Sequence, residues 1–331
     1  MARKRSAVID THIIYCGDCL DQLRKLPDAS VDLVYIDPPF NSNRNYEVFW
    51  GETQEKRAFE DRHASTQAYI DFMRPRCVEL HRVLKPTGSL YFHCDWHASH
   101  YVKVMLDQIF GEKFFQNEIV WKRSSAHGDT KQGMKRYGRI HDAIFFYTKG
   151  KQWTWNAQFQ PYDEKYIEDF YRHVDSGSRR RYRLGDLTAA KPGGDTRYEW
   201  RIMRERSKDA TWQADLQDEY RTPQPGWEYK GVPPYKGRYW AYSRDKMIEF
   251  AVGGRLFYSK TGMPQYKRYL DEMPGVPLQD VWTDVRTIAS GAKERTGYPT
   301  QKPLPLLERI IESSSNKGDI VLDAFCGCGT A

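Results

Sequence analysis

The chain has 331 residues, 40% of them hydrophobic and 14% aromatic, which excludes a disordered polymer and allows one large domain or a core domain with an insert. No stretch approaches the roughly 18 to 20 consecutive apolar residues of a membrane span, and the opening MARKRSAVID has basic residues with no apolar segment behind them, so a soluble, cytoplasmic protein without a membrane partner is expected. Six cysteines in a chain this long argue against a disulfide scaffold, and 51 basic against 44 acidic residues give a net charge of +7 that is only mildly suggestive by itself.

In chain order, HIIYCGD (His12 to Asp18) reads as a strand ending in a turn, and Cys19 to Leu26 as a helix with Leu20, Leu23 and Leu26 on one side. VDLVYID (Val31 to Asp37) is a buried-type strand that stops at Pro38 and Pro39, because neither proline can donate to a ladder. A polar, Asn-rich loop follows, then a helix over Tyr69 to Leu84 that proline and glycine end at Lys85-Pro86-Thr87-Gly88. Gly88 to Asp95 is the next strand, 98–110 a helix, and Glu118–Lys122 and Ala143–Lys149 are further strands. Pro303 to Ser314 reads as a helix with Leu306, Leu307, Ile310 and Ile311 facing a sheet, before a terminal strand at Ile320 to Leu322. Alternation of this kind predicts an α/β fold, a mostly parallel sheet with helices on both faces. Between about Lys151 and Asp280 the period dissolves into Trp, Tyr, Arg, Gly and Pro, so the parts are taken as 1–150, an insert at 151–280, and 281–331.

The positive charge is clustered. From Trp121 to Gly150, Lys122, Arg123, Lys131, Lys135, Arg136, Arg139 and Lys149 face only Asp129 and Asp142; a second group holds Arg172, Arg179, Arg180, Arg181 and Arg183, with Tyr171, Tyr182, Tyr198 and Trp200 in or near it. Bases interleaved with aromatics suit a phosphate backbone and stacked bases, making Arg123, Lys135, Arg136, Arg179, Arg180 and Arg181 candidate nucleic-acid contacts, against a plain solvated face as the alternative.

Two stretches carry chemistry. In Asp37-Pro38-Pro39-Phe40 a carboxylate and the Pro38 carbonyl are held by an extended proline pair so that both can accept from one amino group, and Phe40 offers a stacking face. Two acceptors gripping an exocyclic NH2 free its nitrogen lone pair to attack an electrophile. In Asp323-Ala324-Phe325-Cys326-Gly327-Cys328-Gly329-Thr330 the glycines permit a tight turn and close approach to a ligand, with Asp323 able to neutralise a positive charge; a dinucleotide loop is the competitor, and a lone G-x-G is weak. The pairs Cys16/Cys19 and Cys326/Cys328 lack knuckle-type loops and are read as small packing residues, with no metal site.

Together, DPPF, the later FxGxG loop preceded by YPTQKPLPLLERII, and GDCLDQL ahead of the DPPF strand resemble the DNA amino methyltransferases that use S-adenosylmethionine, in the motif order of their β class. The resemblance covers nearly the whole chain outside about 150 to 280. It implies a circularly permuted Rossmann-like methyltransferase fold with a target-recognition insert, and transfer of a methyl group to a flipped base in double-stranded DNA. The aspartate form of the tetrapeptide points to adenine N6; cytosine N4, a catalytically silent DNA-binding module, and methylation of RNA or a protein amide are the alternatives. By the same resemblance Asp37 and Pro38 hold the target amine, Pro39 shapes the turn and Phe40 stacks on the base. Asp323, Phe325, Gly327 and Gly329 line the cofactor beside Asp37, Asp18 and Cys19 approach its adenosine, and Thr300, Gln301 and Lys302 its methionine end. The family continues through a further helix and strand, so the chain is expected to be a C-terminally truncated fragment. A cognate restriction endonuclease and a second copy of the chain are candidate partners.

Overall fold

The computed structural model describes residues 12–40, 63–124, 135, 137–207, 209–217, 223–289, 291–298, 300–327 and 329–330, and the backbone of 44–50 and 55–61, which pair as an antiparallel hairpin. The chain divides into two compact units, residues 1–158 with 277–331, and residues 159–276.

The first unit is built on one six-stranded sheet. Its strands are β1 (Val31–Ile36), β2 (Leu84–Cys94), β3 (Phe115–Lys122), β4 (His141–Thr148), β5 (Val281–Trp282) and β6 (Val321–Leu322), in the order β5-β3-β4-β2-β1-β6. All run the same way except β4, which is antiparallel to both neighbours. The helices are α1 (Cys19–Leu23), α2 (Thr66–Val83), α3 (Ser99–Phe110) and α4 (Leu304–Ser314).

Strand alternation sorts the side chains onto two faces. Val34, Ile36, Leu90, Phe92, Phe145 and Tyr147 join a core with Met73, Cys77 and Leu80 of α2 and Val102 and Leu106 of α3. Leu33, Tyr35, Tyr91, Ile119, Trp121, Ile144 and Phe146 join a second core under Leu306, Leu307 and Ile310 of α4. Covering on both faces is why all six residues of VDLVYI are buried and why the strand reads as a continuous apolar run, with Asp32 the exception. Lys85 Nζ holds both Asp32 oxygens, at 2.8 and 2.7 Å, and the Ile320 N–H donates to Oδ2 at 2.9 Å, so one carboxylate ties β1 to the starts of β2 and β6. Leu33 is fully buried on the α4 side; Leu33→Ala is expected to cost about 2–5 kcal/mol, read from the denaturation midpoint.

The α/β expectation of a mostly parallel sheet with helices on both faces holds; three local expectations do not. Residues 12–17 form no strand: they pair with no edge of the sheet, and Ile14 is 81% exposed. The helix expected to Leu26 ends at Leu23, after one turn capped by Asp18. Pro86 and Gly88 do not separate helix from strand; β2 begins at Leu84, directly after α2, and its register to β1 shifts between Val31 and Leu33. A Cβ on Gly88 would lie 2.8 Å from Leu84 Cδ2 and 2.9 Å from the Asp32 carbonyl oxygen, so the irregularity needs glycine.

Among the described residues the second unit carries three antiparallel sheets, the smallest pairing Thr188–Ala189 with Tyr239–Trp240. Trp200–Glu205 pairs with Gln213–Ala214 and Trp227–Val232, and Pro264–Tyr269 with Leu256–Tyr258 and Arg181–Gly185, which in turn pairs with His173–Val174. Trp200, Ile202, Trp212, Trp240 and Met247 form its core, so many of the tryptophans that broke the sequence period are interior packing.

Candidate active site

In an open parallel sheet the carboxyl ends of the strands face one edge, where ligands bind. Here β1 and β6 are adjacent and parallel, with Leu33 opposite Val321 and Val34 opposite Leu322. The DPPF segment and the glycine loop, nearly 300 residues apart in sequence, therefore leave the sheet side by side. Because β4 runs the other way, its first residues, His141 and Asp142, lie at that same edge, as do Arg123 beyond β3 and Asp95 beyond β2.

Asp37 sits one residue past β1 with its side chain 17% exposed. Its Oδ2 is held in an ion pair by Lys302 Nζ, which also donates to the Thr300 carbonyl at 3.3 Å and lies 5.2 Å from the Phe40 ring centre. Its Oδ1 is buried and, among the described residues, has no hydrogen-bond partner. An acceptor left unpaired there carries a desolvation cost that an arriving donor relieves.

Lys302 is delivered by a braced loop. Gln301 Nε2 donates to the Glu294 carbonyl at 2.7 Å, while its Oε1 accepts from the Thr296 N–H and hydroxyl at 2.8 and 2.9 Å. Glu294 Oε2 in turn accepts from the N–H of Leu304 at the start of α4. Of the expected trio Thr300, Gln301 and Lys302, only the lysine reaches Asp37; the glutamine is spent on the loop.

On the other strand, Asp323 Oδ1 accepts from the Phe325 N–H at 2.9 Å, and Phe325 packs at the margin of the α1–α3 core. Burial, opposed by that N–H and augmented by the negative charge of Asp37, pushes the Asp323 carboxyl up to about 7, although Lys302 pulls it down. Gly327 has φ +55°, and a Cβ there would stand 3.2 Å from the Tyr298 ring, so both backbone and space select glycine. The Gly329 N–H closes the turn on the Cys326 carbonyl at 2.7 Å. Two carboxyls on adjacent strand ends, one paired with a lysine and the other close to half-protonated at neutral pH, form a site prepared for a cationic ligand and an amino donor.

Asp18 and Cys19 are placed by α2. Asp18 caps α1 through the Leu20 N–H at 2.8 Å and takes Arg76 Nη2 at 2.6 Å, and burial raises the Cys19 thiol against the pull of Arg76. Among the described residues no group of three or more His, Cys, Asp or Glu could hold a metal, and no helix is long and apolar enough to cross a membrane.

Sequence reasoning passed over His93, Tyr35 and Asp142. His93 is fully buried, with Nδ1 3.0 Å from the Tyr35 hydroxyl and 3.9 Å from Asp37 Oδ1, and Nε2 3.4 Å from Asp142 Oδ2. Its ring packs 5.5 Å from Phe40 and edge-on to Trp121. The available signal was position: a histidine one residue before the end of an apolar strand, with Tyr35 and Asp142 on the same face of the neighbouring strands.

A family model described as DNA methylase, of the N6/N4 type, matches residues 31–331. This chain belongs to that DNA methylase family. Three relatives of this family member are the type II methyltransferase M.EcaI of Enterobacter cloacae, the Mod subunit of the type III restriction-modification enzyme StyLTI of Salmonella typhimurium, and the DNA adenine methyltransferase YhdJ of Escherichia coli. The first is 27% identical over 99% of the chain and 65% of the relative. The second is 26% identical over 96% of the chain and 49% of the relative, and the third 26% over 95% and 71%. The chain thus spans about two thirds of the first relative and half of the second.

The basic candidates are treated unequally by the fold. In the first unit Arg123 Nε lies 2.8 Å from Asp142 Oδ1, Lys135 is exposed, and Arg136 lies outside the described residues. Arg139 stacks 3.2 Å over Trp96, which is 45% exposed just beyond β2. In the second unit Arg179 and Arg181 are exposed, whereas Arg180 is bound by Asp271 and Glu272 and lies 3.9 Å over the Tyr269 ring. Arg180 has its charge answered within the fold, which its run of three arginines did not reveal.

Proposed function

We propose that this family member transfers a methyl group from S-adenosylmethionine to the exocyclic amino group of a base flipped out of double-stranded DNA, with adenine N6 the acceptor. The observation that carries the reading is the buried Asp37 Oδ1, without a hydrogen-bond partner among the described residues, beside the Asp323–Gly329 loop. When bound, S-adenosylmethionine supplies an electrophilic methyl carbon on a positively charged sulfur. Asp323 fits the ammonium of its amino-acid end, since a buried carboxyl near half-protonation gains from a neighbouring cation. Gly327 and Gly329 allow the loop to follow the ligand closely, and Phe325 lines it.

Asp37 Oδ1 and the Pro38 carbonyl accept from the amino group, turning its lone pair out of conjugation with the base, and Phe40 supplies a stacking surface for the ring. Lys302 fixes Asp37 by occupying Oδ2, leaving Oδ1 for the substrate. Extruding the base costs a few kcal/mol, and holding both reactants in line offers roughly 7–11 kcal/mol in return in favourable cases. Adenine is favoured over cytosine by the aspartate at the head of the tetrapeptide and by the likeness to a relative described as an adenine methyltransferase. The test is incubation with duplex DNA and methyl-labelled S-adenosylmethionine, then nucleoside analysis. Label in N6-methyladenine is expected; label in N4-methylcytosine would overturn the choice of base, and DNA binding without label would favour a binding module.

The second unit is proposed as the part that reads the target, with a cognate restriction endonuclease as a candidate partner. Arg179→Gln with Arg181→Gln is expected to lower the slope of log affinity against log salt by roughly 2, whereas Arg180→Gln leaves it unchanged. Equal slopes in all three proteins would remove this arginine run from the DNA contact.

A further inference from the structure

Beneath the DPPF segment lies a buried polar chain that holding the amine does not require. We infer that His93 is a positioning residue acting through Asp37, whose Nδ1 receives the proton that Asp37 takes from the methylated amine. The inference rests on the methyl-transfer reading given above. The contacts dictate how the imidazole is protonated. Burial tends to raise the Asp142 carboxyl, but the hydrogen bond from His93 and the neighbouring positive charge, with Arg123 Nε 2.8 Å from Oδ1, outweigh it and hold Asp142 below the ordinary carboxylate range. Asp142 is therefore an acceptor, and Nε2 must donate to it. Burial holds the Tyr35 phenol well above its ordinary value, with the charges of Asp37, Asp323 and Asp142 adding to the effect, so Tyr35 keeps its proton and donates it to Nδ1.

Nδ1, whose lone pair accepts from Tyr35, lies 3.9 Å from Asp37 Oδ1, beyond hydrogen-bond reach. The balance changes after transfer. The nitrogen that has gained the methyl group carries one proton too many; its N–H bond breaks, the electron pair stays on nitrogen, and the proton passes to Oδ1. Protonation makes Oδ1 a donor, and Nδ1 becomes its acceptor as the two close to hydrogen-bond distance. The proton then moves to Nδ1, the Tyr35 hydroxyl turns its own proton aside, and Asp37 returns to the carboxylate that pairs with Lys302. The imidazolium so formed lies against Asp142, itself paired with Arg123. Facing the ring, then, are Tyr35 and Asp37 from β1 and the segment beyond it, and Asp142 from β4, with Phe40 and Trp121 as uncharged walls.

The test compares the wild-type protein with His93→Gln and Asp142→Asn. Glutamine can donate an amide N–H towards Asp142 and accept from Tyr35, but it cannot take a proton. In the ligand-free protein, imidazole nitrogen resonances at pH 7.5 should show the Nε2–H form; an Nδ1–H form would overturn the inference without touching the methyl-transfer reading. In single-turnover transfer at S-adenosylmethionine concentrations saturating at every pH, His93→Gln should lose about 100-fold in rate with KM for DNA unchanged, and lose the acidic limb of the wild-type pH profile. Asp142→Asn should move that limb to lower pH. A His93→Gln protein of unchanged rate, or one slowed with the acidic limb intact, would reduce His93 to packing. Absence of transfer by the wild-type protein at every pH would count against the methyl-transfer reading, leaving the resonance measurement to decide the protonation form.

Discussion

Asp37→Ala is expected to lower the single-turnover rate of methyl transfer by about 1,000-fold while changing DNA affinity little. The substitution removes an acceptor whose value is greatest as the amine develops positive charge, and loss of one such preorganised partner costs about 100- to 1,000-fold, with loss of a proton acceptor adding to it. It also strands Lys302, whose side chain is only 12% exposed, next to an empty place. Thermal stability should therefore fall as well, because an uncompensated, largely buried ammonium is costly. Asp37→Asn separates the two effects: it fills the volume and leaves one oxygen able to accept, yet can neither take the proton nor answer the charge of Lys302. Rates of both variants, measured beside melting temperature and DNA affinity, decide the matter; transfer by Asp37→Ala within tenfold of the wild-type rate would remove Asp37 from its role.

The second large effect is a pH dependence of cofactor affinity set by Asp323. Burial, with Asp37 adding to it, brings this carboxyl up to about 7 in the ligand-free protein, and a bound ammonium requires its ionised form. Below pH 7 binding must first expel a proton, so affinity for S-adenosylmethionine should weaken by about tenfold between pH 8 and pH 6. Asp323→Asn should bind more weakly at pH 8 and show no such slope. The same shift acts on folding with the opposite sense from a salt-bridged acid. The folded state holds the proton up to about pH 7, whereas the ordinary value is 3.8, so the ligand-free protein loses stability as pH rises through that interval and is level above it. At pH 8 the asparagine variant should melt higher than the wild type. Calorimetric titrations and melts at pH 6, 7 and 8 read both predictions; a wild-type affinity independent of pH would contradict them.

How far the site could be read from the residues depends on what kind of information each position carries. The central strands were legible because burial on two faces makes VDLVYI, Asp32 apart, and AIFFYT nearly continuous apolar runs, and α4 because Leu306, Leu307 and Ile310 recur at helical spacing. Asp37, Lys302 and the glycine loop were legible as motifs. That Asp37 and Lys302 form one ion pair was not, since it depends on β6 lying beside β1 and on Gln301 and Glu294 bracing the intervening loop. His93 was hidden for a similar reason: its partners come from three strands, and a histidine in an apolar run carries no spacing that distinguishes a buried relay from a satisfied core residue. The false strand at residues 12–17 shows the converse, an apolar run whose pairing depends on a neighbour that local sequence does not report. Arg180 teaches the same about charge, for Asp271 and Glu272, which neutralise it, are some ninety residues away.

The account's central claim is that two segments far apart in the chain make one site. The measurement that tests it most directly is a nuclear Overhauser experiment on the complex with S-adenosylmethionine carrying a 13C-labelled methyl group. Contacts from that methyl to the Phe40 ring and the Lys302 side chain, together with shifted Gly327 and Gly329 amides, are the expected result. Shifted glycine amides with no methyl contact to Phe40 or Lys302 would place the reactive carbon away from Asp37 and contradict the claim.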